Sequence, residues 1–231
     1  MVKYPVGGPD WWAGQAYWWD AEFWNESAVD VFGDMSLKNA AHWSELFDPR
    51  TGRARRPGDT RYVVVYGRDV RFRLAGRQLV FERDSYLFEP ERPWRADWIA
   101  SGIYADGWSL PQGRVTFTVF AQPSQTSPLR RALTLAGSTT DDAGNREVTI
   151  RSNLERWTTT VAGGESFERQ IMVCVPPGGT GRVVVESQGV SYTYRDPTKA
   201  ALTGEIDRPT SFHLRTAGLA DETERQGPCP R

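Results

Sequence analysis

From about residue 60 onward, apolar and polar side chains alternate with a period of two. In the run 69–74, Val70, Phe72 and Leu74 fall on one face while Arg71 and Arg73 fall on the other. That is the pattern of a strand with one buried side. Val115, Phe117 and Val119 repeat it, as do Val148 and Ile150. Other short runs rich in Val, Thr, Phe and Tyr cover residues 61–66, 77–82, 129–135, 156–161, 170–175 and 182–186. Turn residues separate them: Gly67-Arg68-Asp69, Gly76, Asp142-Ala143-Gly144-Asn145, Gly163-Gly164 and Pro176-Pro177-Gly178-Gly179. Gly, Asn and Pro supply the dihedral angles that tight turns need. Many short strands with little helix between them predict a mainly β fold, an antiparallel β-sandwich or jelly roll over residues 51–231.

Residues 1–50 read differently. Five of the 10 Trp fall in the first 24 residues. Asp10 is a suitable N-cap, Trp12, Ala16, Trp19 and Phe23 recur every three to four residues, and Gly33 is a suitable stop. The spacing predicts a Trp-rich helix over 10–32 that packs on the β body. It carries Asp10, Asp20, Glu22, Glu26 and Asp30 and no basic residue, so an anionic lipid surface should repel it. Trp11, Trp12, Trp18 and Trp19 are the candidates to face a membrane or a partner. The alternative is that they pack against the sandwich.

Charge excludes one class of function. The chain has 28 Lys and Arg against 29 Asp and Glu, a net charge of -1, where a nucleic-acid binder would show a basic excess. The balance is uneven along the chain: eight acidic and two basic side chains up to Pro49, then twelve basic and six acidic from Arg50 to Arg95. An acidic front packing on a basic first sheet accounts for this. Arg53, Arg55 and Arg56 read as a solvated loop. Hydrophobic residues at 39% and charged residues at 25% are ordinary for a folded globular chain.

Catalytic signatures are sparse. The sequence has no phosphate-binding Gly-rich loop, dinucleotide fingerprint or Gly-x-Ser-x-Gly elbow. Its two histidines, His42 and His213, lie far apart, and His213 reads as a strand surface residue. Asp97, Asp106, Glu155, Glu165 and Glu168 are possible acid-base carboxylates, but spacing selects no pair, so no catalytic residue is assigned. Asp141, Asp142 and Asn145 form a weak calcium candidate, for which a hairpin turn is the commoner explanation. No cofactor is expected.

The stretch 93–111, PWRADWIASGIYADGWSLP, holds the candidate site. It sets Trp94, Trp98, Tyr104 and Trp108 among Arg95, Asp97 and Asp106. Flat aromatic faces against sugar C–H groups, with carboxylates and guanidiniums bonding hydroxyls, suit carbohydrate recognition. The competing reading puts Trp94 and Trp98 in the core, with Tyr104 and Trp108 covering an edge. Cys174 lies in an apolar run and Cys229 in the C-terminal tail. They are either one buried and one exposed thiol or a disulfide that pins the tail to a strand.

Several short motifs resemble a known family. They are Glu22-Phe23-Trp24-Asn25-Glu26-Ser27 followed by Val29, then Asp48-Pro49-Arg50-Thr51-Gly52, Gly102-Ile103-Tyr104-Ala105-Asp106-Gly107-Trp108, Arg156-Trp157-Thr158 and Val173-Cys174-Val175-Pro176. In that order they resemble the extracytoplasmic C-terminal β-sandwich region of multi-pass membrane glycosyltransferase-like proteins of high-GC, actinobacterial-type bacteria. The resemblance covers roughly residues 20–229. It implies an extracytoplasmic, membrane-associated domain and favours the Cys174–Cys229 disulfide. It also implies a transmembrane parent portion as one partner, and a cell-envelope polysaccharide or lipid-linked sugar as another. The catalytic acids of such proteins lie in the membrane half, so none transfers to this chain. The function expected is a non-catalytic carbohydrate-binding or acceptor-positioning domain. The alternatives are a structural domain that docks on its membrane partner without binding sugar, and an independent glycoside hydrolase.

Overall fold

The structure, a computed structural model, describes residues 2–4, 31–33, 46–55, 61–66, 70–82, 85–104, 107–139, 144–188, 192–194, 208–219 and 229. These residues form β1 (Val2–Tyr4), β2 (Val31–Gly33), β3 (Val63–Tyr66), β4 (Phe72–Leu74), β5 (Gly76–Glu82), β6 (Ser85–Pro90), β7 (Ala96–Ser101) and β8 (Arg114–Phe120). They continue with β9 (Leu129–Ser138), β10 (Arg146–Arg151), β11 (Arg156–Val161), β12 (Ser166–Val175), β13 (Thr180–Gln188), β14 (Tyr192–Tyr194), β15 (Arg208–Thr210) and β16 (His213–Leu219). The expected strand runs are all present. The sequence pattern marks no strand at β1, β2, β6, β7, β14 or β15.

Three sheets build the body. A six-stranded sheet runs β11-β10-β13-β8-β7-β4, a three-stranded sheet β12-β9-β16, and a five-stranded sheet β2-β1-β3-β6-β5. Pairing is antiparallel except where β1 lies parallel to β2 and β3. The six- and three-stranded sheets form the expected sandwich. Val115, Phe117 and Val119 of β8, Val183 and Val185 of β13, and Ile150 of β10 meet Leu133 and Leu135 of β9 and Ile171 and Val173 of β12. All are buried, each contributing roughly 1.5–3 kcal/mol by removal from water.

A second core lies on the opposite face of the six-stranded sheet, at its β4-β7-β8 end. Phe72, Leu74, Ala96, Ile99 and Phe120 pack there against Val63 of β3, Phe88 of β6, and Phe47 and Trp94. Phe47 and Phe72 meet with ring centroids 5.3 Å apart. Neighbouring residues therefore serve different cores: Val119 and Phe120, Trp98 and Ile99. A strand covered on both faces loses its alternation, which is why β7 does not read as a strand.

The front differs from expectation where it is described. Val31–Gly33, the end of the expected helix, are strand β2, in register with β1 from Val2↔Val31 to Tyr4↔Gly33. The β-branched and aromatic Val31 and Phe32 suit a pleated surface better than a helix end. The remainder of that segment, with Trp11, Trp12, Trp18 and Trp19, lies outside the described residues. Phe47 bridges Ala54 across the expected boundary at residue 50.

Cys174 and Cys229 form the disulfide, with Cα atoms 5.7 Å apart. It anchors the tail to β12, an edge strand of its sheet. The outer rim of β12 is covered by the β10–β11 turn. The Asn153 amide accepts from the Cys174 N–H and donates to its carbonyl, both at 2.9 Å. One residue pair away, Glu155 accepts from the Met172 N–H and Ser152 donates to the Met172 carbonyl. Covering these groups removes a template for edge-to-edge association. With cysteines 55 residues apart, the closed loop restricts the unfolded chain by about 4 kcal/mol. The Cys174→Ser/Cys229→Ser double variant is therefore expected to unfold at lower urea, with a stability loss of roughly 2–4 kcal/mol. An unchanged urea midpoint would contradict this.

Candidate functional site

Four segments distant in sequence converge on a cleft of about 420 Å³. Its first wall is the Asp48–Gly52 turn. The Asp48 carboxylate accepts the Arg50 N–H at 2.8 Å, and the Gly52 N–H donates to the Asp48 carbonyl at 2.8 Å. Gly52 has φ of +68°, and a Cβ there would lie 2.7 Å from the Phe120 ring. Glycine is required by both the backbone and the close approach. The turn is fixed to the second wall, residues 91–95, by bonds from the Ala54 N–H to the Trp94 carbonyl at 2.8 Å and from the Ala96 N–H to the Gly52 carbonyl at 2.7 Å.

The floor is the end of β8 and its exit, Phe120 to Pro123, and the far wall is the Gly178-Gly179 turn. That turn is closed by the Gly179 N–H donating to the Pro176 carbonyl at 3.0 Å, and joined to the floor by the Ala121 N–H donating to the Gly179 carbonyl at 3.1 Å. The walls are thus held by main-chain bonds, and the side chains they present have fixed origins. A pocket of this size, formed in advance with a few polar groups on it, suits a small ligand.

Guanidinium groups dominate the lining. Arg50, Arg53, Arg92 and Arg95 face the cleft together with Glu91. Arg50, Arg53 and Arg92 are exposed, whereas Arg95 is only 9% exposed. Arg95 donates to the Ala121 carbonyl, which ties its head to the floor. Burial pushes its pKa below the usual guanidinium value, while Glu91 and Asp97 act in the opposite direction. Pro93 and Pro123 add exposed apolar surface, above a floor closed by the buried Phe120 ring. Hydroxyl- and carboxylate-bearing ligands are the chemical match: each guanidinium offers up to five donors in a planar fork.

The residues singled out in the sequence fall elsewhere. Trp98 is 1% exposed and packs edge-on to Phe117, with centroids 5.3 Å apart. Trp94, at 5%, fills the second core, and only its carbonyl serves the cleft wall. Trp108, at 9%, stacks on His213 at 4.8 Å and pairs with it as a β-bridge. None of the three presents a free ring face. His213 is accordingly half-buried beneath Trp108 rather than a plain surface residue. Half-buried Tyr104 takes part in the tight turn that carries Gly107 and Trp108. The Asp106 side chain lies outside the described residues.

Asp97 sits between two guanidiniums, 3.5 Å from Arg131 and 3.9 Å from Arg73. Desolvation raises its pKa despite the opposing pull of Arg131, Arg73 and Arg95. It links β7 to β9, and so one sheet to the other, and is not aimed at a ligand. Glu155 holds the edge of β12, and Glu165 and Glu168 are exposed. Of the calcium candidates, Asn145 is exposed and Asp141 and Asp142 lie outside the described residues. Among the described residues no three His, Cys, Asp or Glu side chains come together as a metal site.

The sequence places Arg95 in the aromatic stretch and Arg53 in a polar loop, and nothing in it singles out Arg92 or Gln122. The available signal was the basic excess between Arg50 and Arg95. Only the pairing of the 52–54 segment with 94–96 shows that it gathers at one place.

Fold and site together define a β-sandwich domain with a cationic cleft at one end of its central sheet. No protein-family model and no curated protein sequence matches the chain. Among solved structures, Xyl-CBM35 in complex with a glucuronic acid-containing disaccharide aligns at 14% identity, covering 72% of this chain and 99% of that one, with a TM-score of 0.30. CBM35 from Cellvibrio japonicus Abf62 aligns at 16% identity over 73% of this chain and 99% of that one, with a TM-score of 0.29. A ruminal GH26 endo-β-1,4-mannanase aligns at 17% identity over 50% of this chain and 20% of that one, with a TM-score of 0.25. At these TM-scores the similarity assigns neither family nor ligand.

The Asp97 environment gives a pH signature. A carboxyl whose folded-state pKa is raised binds its proton more tightly in the folded protein, so its contribution to stability rises as pH falls through that folded value. The gain levels off below the unfolded pKa of about 3.9. Wild-type stability relative to Asp97→Asn is therefore expected to increase on acidification through this window in urea titrations. A difference that falls on acidification would contradict the assignment.

Proposed function

We propose that this chain is a non-catalytic carbohydrate-binding β-sandwich domain whose saccharide seats in the cleft between the Asp48–Gly52 turn and the Gly178-Gly179 turn. The observation that carries the proposal is the cleft's construction. Four main-chain-braced segments meet there, and two of them present guanidinium donors beside the exposed apolar surfaces of Pro93 and Pro123. A sugar ring offers the complement, hydroxyl oxygens on its rim and C–H groups on its faces. Among the described residues Glu91 is the one carboxylate on the lining. Glycoside hydrolysis ordinarily takes two, which supports a binding role over a hydrolytic one.

The setting follows from the same reading. A disulfide persists in oxidising compartments, which supports an extracytoplasmic location. The resemblance to membrane glycosyltransferase-like proteins adds a parent with a transmembrane catalytic half. In that setting the domain would hold a cell-envelope polysaccharide or lipid-linked acceptor near that half. Among the described residues no helix is long and apolar enough to cross a membrane.

Calorimetric titration with cell-envelope oligosaccharides tests the proposal. At least one fragment is expected to bind saturably. Arg53→Ala should weaken it about tenfold, the loss of one charge-assisted hydrogen bond, while Thr158→Ala on the exposed edge strand β11 leaves it unchanged. Failure of every fragment to bind the folded protein would overturn the reading.

A further inference from the structure

Among the described residues, six arginines outside the cleft share carboxylates in pairs. Glu89 is 2.8 Å from Arg77 and 3.6 Å from Arg61. Glu186 is 3.1 Å from Arg151 and 3.4 Å from Arg114. Asp97 takes Arg131 and Arg73, as described. The cleft differs from these pairs in gathering its arginines at one place. Arg50, Arg53, Arg92 and Arg95 surround one acidic residue, Glu91, and none of them comes within 4.0 Å of a carboxylate oxygen among the described residues.

The imbalance is built in. Arg53 is brought beside Arg95 by a β-bridge between the two residues, so main-chain pairing forces two like charges together. Arg95 is held in a largely desolvated position with its Nε unpartnered among the described residues. Gathering like charges and burying one of them opposes folding. A site that tolerates such frustration is organised for something that relieves it.

We infer that the cleft takes a saccharide through a negative charge that the sugar itself carries, a carboxylate or a phosphate monoester. This inference rests on the cleft being the saccharide seat. The planar carboxylate and the tetrahedral phosphate monoester each offer a pair of oxygen acceptors that matches the guanidinium fork, and arginine is the cation best suited to either. The exposed Arg50, Arg53 and Arg92 would capture the anion at the rim, and the buried Arg95 would fix the floor that receives the ring.

The test is calorimetric titration of the full chain with two matched sets. The carboxylate set is oligogalacturonate, alginate and their carboxyl-reduced neutral counterparts. The phosphate set is mannose 6-phosphate-terminated mannan fragments and the same fragments after dephosphorylation. The expected result is binding of at least one charged member at least about tenfold tighter than its neutral counterpart. That preference should shrink as NaCl rises from roughly 0.05 to 0.5 M, as the Debye length shortens. Arg50→Gln/Arg92→Gln, both exposed positions, should abolish it, and Glu91→Gln should strengthen binding about two- to threefold.

The set that responds identifies carboxylate or phosphate as the charge. Equal binding of charged and neutral members would overturn the inference and leave the carbohydrate reading in place. Preference that survives Arg50→Gln/Arg92→Gln would overturn the site. Failure of all members, charged and neutral, with correctly folded protein would overturn both.

Discussion

The arrangement on which the rest of the molecule depends is the burial of β7 and the end of β8 on both faces. Trp98 and Val119 turn toward the sandwich interior, while Ile99 and Phe120 turn toward the second core. Each core alone would leave the other face of these strands in water. Together they let a third sheet and the Phe47–Ala54 segment attach to one end of the sandwich. The cleft exists because of this attachment: Phe120 is both a member of the second core and part of the cleft floor.

That dual use explains the fine geometry at Gly52. The turn must approach the Phe120 ring closely enough that no side chain fits between them. Close approach brings the Gly52 carbonyl within bonding distance of the Ala96 N–H, which sets the register of the segment against β7. From that register follows the adjacency of Arg53 and Arg95. The charge concentration in the cleft is therefore a consequence of main-chain pairing, and hydrophobic burial in two cores offsets its cost. A site braced in this way binds without first ordering its walls, which limits the entropy lost on association.

How much of this was legible in the sequence varies by element. Strands with one wet face, such as β8 with its Val115, Phe117, Val119 series, announced themselves by alternation. The sandwich follows from them. Strand β7 did not, because Trp98, Ile99 and Ala100 are all buried and their sequence reads as an aromatic cluster. The sugar-binding platform inferred from Trp94, Trp98 and Trp108 came from that ambiguity. Composition cannot distinguish an indole that fills a core from one that waits on a rim. The Asp48–Gly52 motif was noticed only as part of a resemblance, and its role as a wall needed the Gly52–Phe120 contact. The disulfide was open on the residues alone and favoured by the family resemblance. The cleft arginines were visible as charge, yet their convergence is a property of non-local pairing that no local pattern encodes.

The central claim is that ligand recognition belongs to the braced cationic cleft and not to the aromatic stretch that follows β7. Amide chemical-shift mapping during titration with a bound acidic oligosaccharide addresses it most directly. The account predicts that the largest shifts fall on Gly52, Arg95, Ala121, Gln122 and Gly179, which converge only in the folded protein. Shifts centred instead on Tyr104, Gly107, Trp108 and His213, with the cleft amides unmoved, would contradict it.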